Sequence, residues 1–381
     1  MIRAKASLGI LVVSLAAAIA FERYGQGQLF NIASERGGDF LKILLALPGP
    51  PVMDGPYPDL IDKYLESQDF KGRMDVFHLT PLSMLVAILF RWTFAFVSPV
   101  IVYLACLFAA LSALSLFLYS RTKSVAWVLS ALLSYPLLTA VDRGNLFALV
   151  SNICLIAALL RKRCDWQAAV LFAIAINVRP NVAIMALPLL MTRPAWFFSL
   201  AAATIGILLT TFAAANLLLP GYDLDSFRMG LHKYFVVYAA GGRGVPLGSS
   251  VYGALFALDH PRQYVPATLI AWAGLPIAIF AFWKERLRYD EFVFICAAAT
   301  SMGTTIFADY HLLVFLAPLI LAKDNRVAIP SLLLLAPKSF WMIGSFNVQV
   351  LLNPAIMFIG SWLIIISALP RWHEPKKAVL S

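Results

Sequence analysis

Charged, amide and imidazole side chains with the potential for chemistry are gathered in three short turns of an otherwise apolar chain. These turns are Asp142-Arg143-Gly144-Asn145, Arg179-Pro180-Asn181 and Asp309-Tyr310-His311. A charge within hydrocarbon costs about 2 to 3 kcal/mol unless it is paired or wetted, so a shared polar cavity best explains such turns. The candidate substrate-binding residues are therefore Asn145, Asn181, Asp309 and His311. His311 has the chemistry to move a proton or to orient Asp309, although a hydrogen-bonded histidine at a helix start is an equal alternative.

Asp39 is a candidate catalytic residue. It stands in Gly37-Gly38-Asp39-Phe40, directly before the apolar stretch 41–47. A carboxylate held against a membrane surface can accept the proton of an attacking hydroxyl group and so act as a general base. Residue type alone favours a different role, a helix N-cap, because Asp caps a following helix well.

Few basic side chains lie on the side of the membrane where these three turns are predicted. They have the charge to surround a phosphate group and to stabilise negative charge that develops on it. The candidate phosphate-binding residues are Arg143, Arg179, Arg228 and Arg243. A structural ion pair is the alternative for each, for example between Arg228 and Asp225.

The composition places the chain in a membrane. Of its 381 residues, 61% are hydrophobic and 13% are charged, which is too much apolar side chain for one soluble core. The formal net charge is +10, but the Lys and Arg residues form short clusters between apolar runs. That distribution is typical of cytoplasmic loops of membrane proteins and excludes a nucleic-acid partner.

The apolar runs predict a single all-α, polytopic membrane domain over 1–381 with about twelve transmembrane helices. The predicted crossings lie at about 8–21, 100–119, 126–141, 146–160, 166–178, 181–192, 195–219, 265–283, 290–307, 310–322, 328–345 and 349–368. The first run is short and ends in a sequence like a signal-peptidase site, but we expect it to be retained as a helix.

Two long loops are predicted outside the cytoplasm. The first, 22–97, contains nine acidic and six basic residues between 22 and 80, and it ends in an apolar segment that is interrupted by Arg91. We expect interfacial helices there. The second is 220–264. Basic turns place both termini in the cytoplasm, as expected for a multi-pass protein of a bacterial-type inner membrane.

Several short motifs along most of the chain resemble the glycosyltransferases of the GT-C superfamily, specifically the family 87 type. The motifs are Asp39-Phe40, Gly55-Pro56-Tyr57, Thr80-Pro81-Leu82, Tyr135-Pro136-Leu137, Arg143-Gly144-Asn145, Arg179-Pro180 and Asp309-Tyr310-His311-Leu312. The sequence departs from the family at two of them, with Arg143-Gly144-Asn145 in place of the commoner Gly-Gln-Asn and Arg179 in place of Lys. The planar fork of Arg suits bidentate phosphate contact, so the way in which phosphate is bound is expected to differ.

The resemblance implies an extracytoplasmic transferase. Its donor would be a polyprenyl-phosphate-linked sugar, mannose by default, and its acceptor a lipid or glycan. Asp39 would correspond to the acidic residue of the first external loop and act as the general base of an inverting displacement. No cofactor is expected. The pair Asp223 and Asp225 resembles an Asp-x-Asp metal site, but a solvated loop or helix cap is the preferred interpretation.

Two other classes of function remain open on the sequence. A lipid-linked glycan flippase or another membrane carrier would place ionisable groups near the bilayer midplane, whereas the polar turns here fall at one face. A glycan polymerase would share the arginines and the long external loop. It would lengthen its product by whole repeat units.

Overall fold

The described part of the chain folds mainly into helices. The computed structural model describes residues 79–234, 248–258, 264–304, 309–338 and 346–372, with isolated positions at 8–9, 11–13, 16, 44, 47, 236 and 342–343. In this part of the chain the strands are β1 (Met342–Ile343) and β2 (Phe346–Asn347), which pair antiparallel. The predicted all-α class is confirmed at this level.

Sixteen α-helices, numbered in chain order, lie in the described residues. They are α1 Pro81–Thr93, α2 Pro99–Thr122, α3 Val125–Leu132, α4 Tyr135–Arg143, α5 Leu146–Arg161, α6 Trp166–Val178, α7 Leu187–Thr192, α8 Trp196–Leu218, α9 Leu224–Tyr234, α10 Val251–Ala257, α11 Tyr264–Trp272, α12 Leu275–Trp283, α13 Tyr289–Met302, α14 Leu316–Leu321, α15 Asn325–Leu335 and α16 Gln349–Ala368. Short 3-10 segments cover Pro180–Ala186, Asp309–Phe315 and Leu369–Trp372.

Four helical segments are long and apolar enough to cross a membrane. They are Ile101–Thr122, Trp196–Leu218, Val265–Trp283 and Gln349–Ala368. Large apolar side chains are exposed along them, as for Phe108 on α2 and Phe198 on α8. Contiguous exposed apolar surface of this kind is suited to lipid contact, and the chain is therefore an α-helical protein that associates with a membrane.

Prolines explain where predicted crossings differ from the observed helices. The run 126–141 forms two helices. Helix α3 ends at Leu132, and α4 begins at Tyr135 with Pro136 in its first turn. The run 328–345 is not one helix, because α15 ends at Leu335 and Pro337 disfavours a helical conformation for the residue before it. Within the same run, Met342 and Ile343 form strand β1 instead of helix. These two predictions were wrong in detail since hydropathy alone ignores the missing N–H of proline.

The core lies around α5 and α13. On α13 every side chain from Asp290 to Met302 is buried, and on α5 most side chains are buried as well. Helix α5 packs against α6, which packs in turn against α8, while α13 contacts the segment Pro180–Ala186. The two buried helices thus form the frame on which the polar turns at their ends are held.

Helix α1 packs across α6 and α8. Its Arg91, expected to interrupt an interfacial segment, is 7% exposed, and its Nε donates to the carbonyl oxygen of Leu47 at 3.2 Å. The guanidinium therefore faces protein, which removes part of the cost of a charge in an apolar segment.

One end of the helix frame is closed by an ion cluster on Arg288. Its guanidinium contacts Asp290 at 3.1 Å, Glu291 at 3.3 Å and Asp324 at 2.9 Å. Asp290 and Glu291 are buried, so Arg288 supplies the charge that they need. Burial opposes the charge of Arg288, yet the hydrogen bonds to Asp290 and Asp324 outweigh it and raise the pKa of the guanidinium.

A candidate anion-binding site where three polar turns meet

Tyr310 joins two of the polar turns at the end of the frame opposite Arg288. Its hydroxyl oxygen accepts a hydrogen bond from Nδ2 of Asn145 at 2.9 Å. Its carbonyl oxygen accepts one from Nδ2 of Asn152 at 3.0 Å. The turn at Asn145 and the segment that begins at Asp309 are therefore held together directly, although they are far apart in the sequence.

The conformation of the first turn follows from its residues. Gly144 ends α4 with φ 69°, a left-handed conformation that glycine adopts without strain. Asn145 then caps α5, because its Oδ1 accepts a hydrogen bond from the backbone N–H of Ala148 at 3.0 Å. One amide group thus starts a helix through its oxygen and holds Tyr310 through its nitrogen.

Arg179 brings the third turn to the same place. It lies between α6 and the 3-10 segment Pro180–Ala186 with extended backbone, the conformation favoured before a proline. Its Cζ lies 5.7 Å from the centre of the Tyr310 ring. Among the described residues, no carboxylate pairs with this guanidinium and no acceptor receives a hydrogen bond from it.

A small cavity that is open to solvent lies beside Arg179. The polar residues that line it are Asn152, Arg179, Asn181, Thr300 and His311, and the apolar ones are Leu155, Val182, Met185 and Val314. The His311 ring packs edge-on against Tyr310, with ring centres 4.3 Å apart. The Arg179 guanidinium and the Asn181 amide have the hydrogen-bonding capacity to bind the oxygen atoms of an anion. The Thr300 hydroxyl already donates to the carbonyl oxygen of Cys296, and the Asn152 amide to that of Tyr310.

Asp309 belongs to a separate buried cluster beside this cavity. Its Oδ1 accepts from Ser249 Oγ at 2.5 Å, and its Oδ2 accepts from the amide of Gln349. Asn353 donates to Ser249 Oγ at 2.9 Å, and Gln349 donates to the Tyr135 hydroxyl at 3.3 Å. Both carboxylate oxygens are occupied, which suits Asp309 to a positioning role for the segment that carries Tyr310 and His311.

Burial and a nearby cation both act on the Asp309 carboxylate. Burial raises its pKa above the usual range, and the hydrogen bond from Ser249 and the charge of Lys338 oppose that shift. The Lys338 ammonium is itself held by the carbonyl oxygens of Leu333 and Ala336, at 2.5 and 2.8 Å. The cluster thereby ties the second long loop, the end of α15 and the start of α16 together.

For three of the other candidates the structure describes no side chain. Asp39 and Arg243 lie outside the described residues, and for Arg143 the structure describes the backbone at the end of α4. Arg228 is exposed on α9 and does not line the cavity.

The predicted alternative for Asp223 is observed. Its Oδ1 accepts from the Ser226 backbone N–H at 2.8 Å, which caps α9, and Asp225 is exposed. Within the described residues, no group of three or more His, Cys, Asp or Glu side chains is arranged to hold a metal ion.

Comparison of the chain with protein-family models, with curated proteins and with solved structures gave no match. The site is therefore interpreted from its own residues.

Several residues of the site were missed at the level of sequence. They are Asn152, Ser249, Thr300, Gln349 and Asn353. A signal existed for Asn152 and Asn353, since each is an amide side chain within an apolar run and polar groups at membrane depth usually have a function. Ser249 and Thr300 are small and common in membrane helices and loops, so their types give no comparable signal.

Proposed function

We propose that the protein is a membrane glycosyltransferase that transfers a hexose, mannose by default, from a polyprenyl-phosphate donor to a lipid or glycan acceptor. The observation that supports this proposal most strongly is Arg179. Arg179 lines a cavity at one end of the buried helices, and no described carboxylate pairs with its guanidinium. A cation in that position calls for an anionic ligand, and a phosphate on a membrane-embedded lipid would supply one.

The chemistry of the cavity fits a leaving phosphate. The Arg179 fork has two parallel N–H donors for two phosphate oxygens. Asn181 lines the same cavity and offers an uncharged hydrogen bond. As the sugar–oxygen bond breaks, negative charge grows on the phosphate, and donors already in place stabilise it without reorganisation.

The proposed reaction is a single displacement with inversion at the anomeric carbon. Asp39 takes the proton of the acceptor hydroxyl, the hydroxyl oxygen attacks the sugar, and the polyprenyl phosphate leaves toward Arg179. Arg143 and Arg243 are proposed as further cations near the phosphate. The GT-C-like arrangement of about twelve helices, the inner-membrane location, the cytoplasmic termini and the extracytoplasmic face of the site are part of the same proposal.

The test is release of polyprenyl phosphate by the purified full chain from a panel of polyprenyl-phosphate sugars, with cell-envelope extract as the source of acceptor. Asp39→Asn is assayed in parallel, and retention of its unfolding midpoint controls for folding. Release that needs both the acceptor and Asp39 is the expected result and identifies the sugar. Intact protein that releases nothing from any donor would overturn the transferase and favour a carrier, and products longer by whole repeat units would indicate a polymerase.

A further inference from the structure

Tyr310 is fixed at both ends by one helix. Asn145 and Asn152, two turns apart on and just before α5, hold its hydroxyl group and its carbonyl oxygen respectively. Asn145 is itself fixed as the cap of α5. The position and the tilt of the Tyr310 ring are thus set by a helix that is buried along most of its length.

The guanidinium carbon of Arg179, Cζ, lies over the Tyr310 ring, 5.7 Å from the ring centre. A guanidinium within about 6 Å of an aromatic ring centre is attracted by the negative potential of the ring face. Among the described residues, the Tyr310 ring is the group that contacts the Arg179 charge. No described carboxylate or carbonyl oxygen accepts a hydrogen bond from the guanidinium. Arg179 also lines the cavity, and among the described residues its N–H donors have no acceptor.

We propose that Tyr310 is a positioning residue, which orients the Arg179 guanidinium for a lipid phosphate through the face of its ring. The inference rests on the proposed function, because it assigns how the phosphate-binding group of that function is held. Arginine has a long side chain with many rotamers, and an unsupported guanidinium would lose that freedom when phosphate binds. A ring that already restricts the guanidinium removes part of this cost.

The same geometry accounts for the choice of arginine over lysine at 179. A planar guanidinium contacts a ring face and still offers a pair of parallel donors at its edge. A lysine ammonium would be a point charge without that edge. The contact with Tyr310 therefore makes Arg179→Lys a poor replacement, even though the charge is retained.

The experiment varies the ring potential without changing the ring shape. Position 310 of the full chain is replaced by phenylalanine and by mono-, di- and trifluorinated phenylalanine through nonsense suppression, and binding of farnesyl phosphate is measured in lipid nanodiscs. Phenylalanine is the reference, because it and all the fluorinated rings equally lack the hydroxyl group that Asn145 holds. Fluorine draws electron density from the ring face and weakens its attraction for a cation. We expect the dissociation constant to rise stepwise, by about tenfold from phenylalanine to the trifluorinated ring. Unchanged unfolding midpoints across the series show that the fold is retained.

The same series in the Arg179→Ala background provides the control. In that background the dissociation constant should be independent of fluorination, because the Arg179 guanidinium that is attracted to the ring is absent. A series that is flat with Arg179 present, or equally steep in both backgrounds, would overturn the role of Tyr310. Farnesyl phosphate that binds Arg179→Ala as tightly as the unsubstituted protein would instead overturn the phosphate site, and the role of Tyr310 with it.

Discussion

At the scale of the residue, the site is defined by what each polar side chain already contacts. Both oxygens of Asp309 are occupied by Ser249 and Gln349, whereas the Arg179 fork has no acceptor in the described residues. Residue types alone made both of them candidates for substrate contact. The structure distinguishes their roles. A carboxylate with both oxygens hydrogen-bonded is suited to hold other residues, and a guanidinium without a hydrogen-bond acceptor is suited to bind an anion.

Asp324 allows a residue-scale prediction about pH. Burial opposes its ionisation, but hydrogen bonds from Arg288 and Arg326 outweigh burial and lower its pKa to about 2. In the unfolded chain the pKa of Asp is about 3.9, so the folded value is depressed. The stabilisation from this carboxylate is therefore complete above about pH 4 and is lost as the pH falls through about 2.

The variant Asp324→Asn removes this charge and retains a side chain that can cap α15, as Asp324 does through the Arg326 N–H. We expect its unfolding midpoint in detergent to lie below that of the unsubstituted protein at pH 6. The difference should shrink steadily below pH 4. A difference that stays constant from pH 6 to pH 2 would show that the carboxylate is not stabilised by its two arginine partners.

At the scale of the element, close approach of helices depends on single small residues. Gly303 ends α13, and a Cβ atom built there would lie 2.1 Å from Nε1 of Trp272, the last residue of α11. That nitrogen also donates to the carbonyl oxygen of Ala299 at 3.1 Å. A glycine at this position is therefore required for α11 to reach the end of α13.

The variant Gly303→Ala should lower the free energy of unfolding by about 1 to 3 kcal/mol, because the indole ring must move and lose its hydrogen bond. Gly206→Ala is the matched control. Gly206 lies within α8 with open space around its missing Cβ atom, so alanine there should be neutral or stabilise by up to about 1 kcal/mol. Equal effects of the two substitutions on unfolding in sodium dodecyl sulfate would contradict the packing described for α11 and α13.

At the scale of the whole molecule, the sequence predicted the long uninterrupted helices well. Helices α2, α8 and α16 begin and end within a few residues of the predicted crossings, and α16 continues through Pro354. The prediction failed at 126–141 and 328–345, where Pro136 and Pro337 act locally on the backbone. Hydropathy measures transfer to lipid and contains no information on this effect.

The candidate site was predictable only in part. Charge in short turns singled out Arg179 and His311, which do line one cavity. The roles of Tyr310 and Asn152 depend on contacts between elements distant in the sequence, and no local pattern encodes such contacts. Asp39 and Arg243 lie outside the described residues and stay predictions.

The measurement that tests the central claim most directly is the rate of polyprenyl phosphate release against donor concentration for Arg179→Ala. The matched control is Arg193→Ala, an exposed arginine just after α7. We expect kcat/KM to fall by about 100-fold or more for Arg179→Ala, as for the loss of a donor that stabilises developing charge. Arg193→Ala should stay within about twofold of the unsubstituted protein. Equal and small effects of the two substitutions would contradict the claim that the Arg179 cavity holds the donor phosphate.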